Sequence, residues 1–181
     1  MLKACKLSNV ASLEFCDAWN LYKEAFPIAE RRPLRCHAAA MQQASAFHCY
    51  SFYSEHTFVG LLFYWKLSTC IYVEHLAVAP FMRGQGIGRE ILQHVHGQGV
   101  PVFLEIEPVK DCATERRLRF YTALGYQTSE HVHYQLPFHH HDEPLRLQLL
   151  SYPEPADAAL IAEFEKDFLS YPMQYRQTHA L

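Results

Sequence analysis

The chain has no cysteine pair at CxxC spacing, no spaced zinc-ligand pattern, no internal repeat, and no low-complexity linker. Nor does any apolar run approach the roughly 18 residues that span a bilayer. Each absence removes a class of protein. The six cysteines are scattered at 5, 16, 36, 49, 70 and 112. With no apolar leader in "MLKACKLSNV", their even number does not imply disulfides, and most are expected to be small core residues. Neither sign of charge dominates: 16 Lys and Arg against 19 Asp and Glu leave a formal −3, so no global basic field invites nucleic acid. A cytoplasmic protein with no nucleic-acid and no membrane partner is expected. Glycine is scarce as well, yet three of the seven glycines alternate within "RGQGIGRE", residues 83–90.

Half of the residues are apolar and 14% aromatic, enough to bury a core in 181 residues. Phe15, Trp19, Tyr22 and Phe26 recur at helical spacing before Pro27, which predicts a helix over Leu13–Phe26. "PLRCHAAAMQQASA" predicts a second, opened by its proline. "FHCYSFYS" and "TFVGLLFYWK", parted by Glu55 and His56, read as a hairpin, and "TCIYVEHLAV" as a long third strand. After the glycines, Ile87, Ile91 and Val95 share a helical face that stops at Gly97. Next come a buried strand, "VPVFLEIE", and a helix, "CATERRLRFYTALG", with Leu118, Phe120 and Tyr121 turned inward. Strands follow at "YQTSEHV" and "LRLQLLS". The last segment, "PADAALIAEFEKDFLSYP", aligns Ile161, Phe164 and Phe168 on one face. The pattern predicts an α/β (α+β mixed) fold, a mixed sheet flanked by helices. Residues 1–151 would form the domain, and 152–181 a helical extension packed on it.

The glycines stand where a strand hands over to a helix. The first amides of a helix lack intrahelical partners and carry partial positive charge, so an anion is favoured there, and glycine lets a phosphate come close. A Walker loop needs Lys-Ser/Thr after its last glycine, but Arg89-Glu90 follows Gly88. A dinucleotide fingerprint needs its third glycine one residue later than Gly88. Arg83-Gly84-Gln85-Gly86-Ile87-Gly88 instead resembles the R/Q-x-x-G-x-G/A signature of the GNAT superfamily of acyl-CoA-dependent N-acetyltransferases. "HLAVAPFMRGQGIG" is similar to that family's strand four, loop and helix three, and "RFYTALGY" to its F-Y-x-x-x-G-F/Y element. The similarity spans roughly residues 57 to 136.

The resemblance implies a mostly antiparallel sheet whose fourth and fifth strands splay to admit the pantetheine arm of acetyl-CoA. Leu76, Ala77 and Val78 would offer backbone groups to the arm; Arg83, Gly84, Gln85, Gly86, Ile87, Gly88 and Arg89 would hold the pyrophosphate. Tyr121 matches the tyrosine that protonates the departing thiolate. Thr114 departs from the pattern, since an asparagine usually stands seven residues before that tyrosine. An amine must lose a proton before it attacks, because an alkylammonium ionises near ~10. Glu74, expected to share a strand face with Leu76 and to oppose His75, is the first candidate base or cation site, and Glu105 the second. A carboxylate stands at the Glu74 position in some diamine-acetylating members.

"PFHHHDE", residues 137–143, carries metal-type donors, but consecutive histidines do not converge on one ion, so a surface loop over His139–His141 and no metal are expected. "AERRP" reads either as an acceptor-pocket loop or as plain surface, and Cys112 as structural. The leading function is acetyl transfer from acetyl-CoA to a primary amine in a ternary complex, by a monomer or homodimer. The alternatives are a non-catalytic acyl-CoA-binding or partner-binding domain of the same fold, and a phosphate site for another nucleotide.

Overall fold

Aromatic and β-branched residues crowd the middle of the chain, and there the computed structural model, which describes residues 1–139 and 142–177, has its sheet. The strands are β1 (Lys3–Lys6), β2 (Phe47–Ser54), β3 (Thr57–Lys66), β4 (Ile71–Val78), β5 (Val102–Ile106), β6 (Gln127–Gln135) and β7 (Leu145–Tyr152). Their order is β1-β2-β3-β4-β5-β7-β6. Every neighbouring pair is antiparallel except β4 and β5. β1 was not anticipated. It is a short, largely exposed edge strand, "KACK", with no apolar alternation to betray it. Counting it makes Ile71–Val78 the fourth strand, as the resemblance requires.

Helices α1 (Leu13–Ala25), α2 (Leu34–Gln43) and α5 (Ala158–Ser170) cover one sheet face, and α3 (Ile87–His96) and α4 (Cys112–Thr122) the other. Their starts are written locally. Ser12 Oγ accepts from Phe15 N at 3.1 Å, Asp157 Oδ1 from Leu160 N at 2.8 Å, and Asp111 with Thr114 closes a capping box on α4. Under α1, α2 and α5 lie Phe63, Trp65, Tyr72 and Phe103; under α3 and α4 lie Leu62, Val73 and Leu104. Each such side chain contributes about 1.5–3 kcal/mol on burial. The cysteine expectation fails for most: only Cys49 and Cys70 are buried, while Cys16 and Cys112 occupy outward helical positions. No helix among the described residues is long and apolar enough to cross a membrane.

Two irregularities in β4 position everything that follows. Its register against β3 steps from Phe63–His75 to Tyr64–Val73, leaving Glu74 as an extra residue. A bulge of this kind shifts the two-residue alternation by one. Glu74 and His75 therefore both turn toward the α1 and α2 side, His75 against Tyr22 and Phe26, whereas Leu76 and Val78 turn toward α3. This corrects the expectation that Glu74 shares a face with Leu76 and opposes His75, which assumed an unbroken strand. Second, β4 pairs with β5 at Ile71–Val102, Tyr72–Phe103 and Val73–Leu104, and beyond Val73 the strands part.

Candidate active site

Two cavities meet at the parting of β4 and β5. The larger, about 670 Å³, runs from Leu76 and Val78 past Gly84, Gly86, Ile87, Gly88 and Arg89 to Arg116 and Phe120. The smaller, about 310 Å³, lies between Glu30, His75, Ala77, Glu105, Glu107 and Gln135. Leu76, Val78, Arg83, Arg117 and Tyr121 border both. A molecule filling the first would thus present one end to the second.

The larger cavity opens on an anion cradle. Gly84 and Gly86 have φ of 76° and 80°, the left-handed region that side chains resist, and a Cβ added at either would meet nothing within 4 Å. Gly86 caps α3, so the unpartnered first amides of that helix face open space. Gly88 serves a different end: a Cβ there would come within 2.9 Å of Phe120 Cζ, so its absence lets α4 approach. Arg83 Nε donates to Val78 O at 3.1 Å. Gln85 lines neither cavity; its amide donates to Phe81 O and braces the turn. Arg89 and Arg116 border the cradle, which suits it to a diphosphate.

The comparisons with known proteins agree with this fold. Residues 45–128 match the model of the acetyltransferase (GNAT) domain. YjbC of Bacillus subtilis (strain 168), classed by its name among the acetyltransferases, is 29% identical over 114 residues, 62% of this chain. That match spans 57% of the relative's length. Among solved structures, a GNAT-family protein of Bacteroides thetaiotaomicron superposes with a TM-score of 0.83 at 23% identity, covering 93% of this chain and 98% of that one. The Escherichia coli ribosomal-protein-S18-alanine N-acetyltransferase gives 0.54 at 17% identity, with 88% and 99% covered. These two likenesses carry the fold. Over residues 45–128 the chain is similar to the GNAT acetyltransferase domain, on a fold shared with a solved GNAT-family structure.

Within this fold, Tyr121 is buried beside Tyr126, and its hydroxyl has no hydrogen-bond partner among the described residues. Burial pushes its pKa up to about 12, with Arg117 pulling weakly the other way, so the phenol stays protonated at neutral pH. Thr114, in the place of the usual asparagine, is buried and occupied by the α4 cap, accepting from Lys110 N and Asp111 N at 3.0 Å. Cys112, exposed at the start of α4, borders neither cavity.

Glu74 borders the smaller cavity, but its carboxylate is wholly enclosed. Arg32 grips it with two parallel bonds of 2.7 Å, and Trp65 Nε1 donates at 3.3 Å. Burial alone would raise its pKa; the Arg32 guanidinium and His75 together more than offset this and hold it at about 2. Arg32 itself is sandwiched among Phe47, Trp65 and Phe138 and donates onward to Tyr175 O and Pro172 O. Glu105 is also engaged: Tyr72 hydroxyl donates to it at 2.7 Å, Gln135 at 3.2 Å, and His133 Nε2 closes on its other oxygen.

Arg32 and Glu30 are the residues that sequence reasoning missed, although both lie in "AERRP". Nothing local marks a buried arginine, because the partner that permits it is 42 residues away. His139 Nε2 donates to Ile28 O at 3.0 Å, so "PFHHHDE" begins against the same loop; His140 and His141 lie outside the described residues.

Proposed function

We propose that this protein transfers an acetyl group from acetyl-CoA to a primary amine by direct attack in a ternary complex. The junction of the two cavities at Leu76, Val78 and Tyr121 carries the reading, because donor and acceptor can then meet without either leaving its site. Acetyl-CoA supplies an activated acetyl thioester. The amides of Gly86, Ile87 and Gly88, with Arg83 and Arg89, hold its diphosphate; Leu76, Ala77 and Val78 offer the unpaired edge of β4 to the pantetheine arm. A β4 amide near Leu76 stabilises the carbonyl oxygen as charge grows on it. Tyr121 gives its phenolic proton to the departing sulfur.

Thiol release measured with acetyl-CoA and a panel of primary alkylamines and short lysine-bearing peptides tests the reading. Amine-dependent release of coenzyme A is expected. Tight acetyl-CoA binding with no release for any member would establish the binding-module alternative, and displacement of coenzyme A by ATP or NAD would reassign the cradle.

A further inference from the structure

With Glu74 and Glu105 both engaged, the smaller cavity holds one carboxylate still free to take a proton. Glu30 lies on the short 3-10 turn Ile28–Glu30 between α1 and α2, half buried on the cavity wall. Its side chain makes no hydrogen bond or ion pair with any described residue. Glu107, across the same cavity, is bound to Lys110 at 2.6 Å and Arg117 at 3.2 Å. Glu30's backbone, by contrast, is fixed: its amide donates to Pro27 O at 3.0 Å, and its carbonyl accepts from His75 Nε2 at 2.9 Å. Two residues on, Arg32 N donates to Tyr22 hydroxyl at 2.7 Å while its guanidinium clamps Glu74. The bulge that turns Glu74 and His75 to the same side supplies both anchors. A fixed main chain bearing an uncommitted carboxylate over a cavity is the arrangement a proton acceptor needs.

Resting on the acetyltransferase reading above, we infer that Glu30 is the general base and that the acceptor is a cationic alkylamine whose ammonium group docks against it. Glu30 takes one proton from the ammonium, freeing the nitrogen lone pair. The C–N bond forms as the C–S bond breaks, and Tyr121 protonates the sulfur. The second nitrogen proton restores the Tyr121 phenol, and Glu30 returns its own to solvent, so one proton is released per turnover. The charged or titratable groups facing Glu30 are Glu107, His75, Arg117 and Lys110. Partial burial, reinforced by Glu107, raises the Glu30 pKa above its ordinary value, and His75, Arg117 and Lys110 pull it down less strongly. A stronger base results.

The test is kcat and KM against pH for the wild-type enzyme, Glu30→Gln and Glu30→Asp, with the alkylamine panel and saturating acetyl-CoA. In the wild type, kcat should rise with pH along an acid limb displaced above the ordinary glutamate range. Glu30→Gln should lose that limb and about 10²-fold or more in kcat, with acetyl-CoA affinity unchanged; Glu30→Asp should recover part of the rate and keep the limb. An active wild type with an equally active Glu30→Gln, or a glutamine variant altered in KM alone, overturns the base assignment and leaves the acetyltransferase reading intact. A wild type inert toward every amine overturns both.

Discussion

At the scale of single residues, environment sets two ionisable groups apart. Burial pushes the Tyr121 pKa up to about 12 and keeps the phenol protonated, and Tyr121→Phe keeps its shape while removing the proton that the proposed reaction uses. The expected result is a kcat lowered by about 10²-fold with acetyl-CoA affinity unchanged in calorimetry; an undiminished kcat would take the phenol out of the reaction. Glu74 is the opposite case, an acid held at about 2 against an ordinary 4.5. Because its folded pKa is depressed, its stabilisation is fully present above about 4.5 and is lost as pH falls toward 2. Glu74→Gln strands the Arg32 charge in the core. It should cost about 3–5 kcal/mol in urea unfolding at pH 7, with the difference from wild type shrinking below pH 4.5. Arg32→Met with Glu74→Leu should cost less than either single change, since no charge is left unpaired. A Glu74→Gln variant of full stability and impaired kcat would return Glu74 to the role of base.

Elements carry the glycine logic. Replacing Gly86 by valine introduces no clash, since a Cβ there meets nothing, but forces a branched residue to φ 80°, a strain of about 1–2 kcal/mol. It also fills the cradle, so acetyl-CoA binding should weaken at least tenfold in calorimetry. Unchanged affinity would remove the diphosphate assignment. Gly60 tests packing instead. A Cβ on it would lie 2.6 Å from Ala77 O and 2.7 Å from Ile91 Cδ1, neither free to retreat from the β3–β4–α3 junction. Gly60→Ala should lower the urea midpoint, and Gly88→Ala, opposed by the swinging end of exposed Phe120, should lower it less. The same elements show what the sequence discloses. Helical spacing placed Ile87, Ile91 and Val95 on the buried face of α3, and Glu55-His56 marked the β2–β3 turn, because those signals are local. The β4 bulge was not legible. It arises from pairing with β3, and moving one residue out of register changed the neighbours of Glu74, His75 and Leu76 together. Nothing local singled out Glu30 within "AERRP", for the same reason: its place on the cavity wall depends on its carbonyl's bond to His75 and on the bonds of Arg32 to Tyr22 and Glu74, none of which adjoins it in sequence.

Across the whole molecule, α5 ties the far half of the sheet to the smaller cavity. Phe164 stacks on Phe103 at 4.7 Å, and Phe168 meets Tyr72 and His133 edge-on. His133, nearly buried on β6, faces Glu105 on β5 with one nitrogen and Glu165 on α5 with the other, at 3.4 Å. Burial would lower the His133 pKa, but Glu105 and, behind it, Glu165 together outweigh it and the folded-state value is raised. The sign is therefore opposite to that of Glu74. Stability from this junction is fully present below the ordinary histidine value of 6.5 and is lost as pH rises through the raised one. His133→Gln removes the titration and retains a donor toward Glu105. The stability gap between wild type and this variant, followed by urea unfolding from pH 6 to 9, should narrow steadily with increasing pH. A gap that stays constant would mean that neutral His133 makes the junction equally well. Because Glu105 borders the smaller cavity, a narrowing gap would also show that the charge on His133 helps keep this carboxylate engaged, as the proposed role of Glu30 requires.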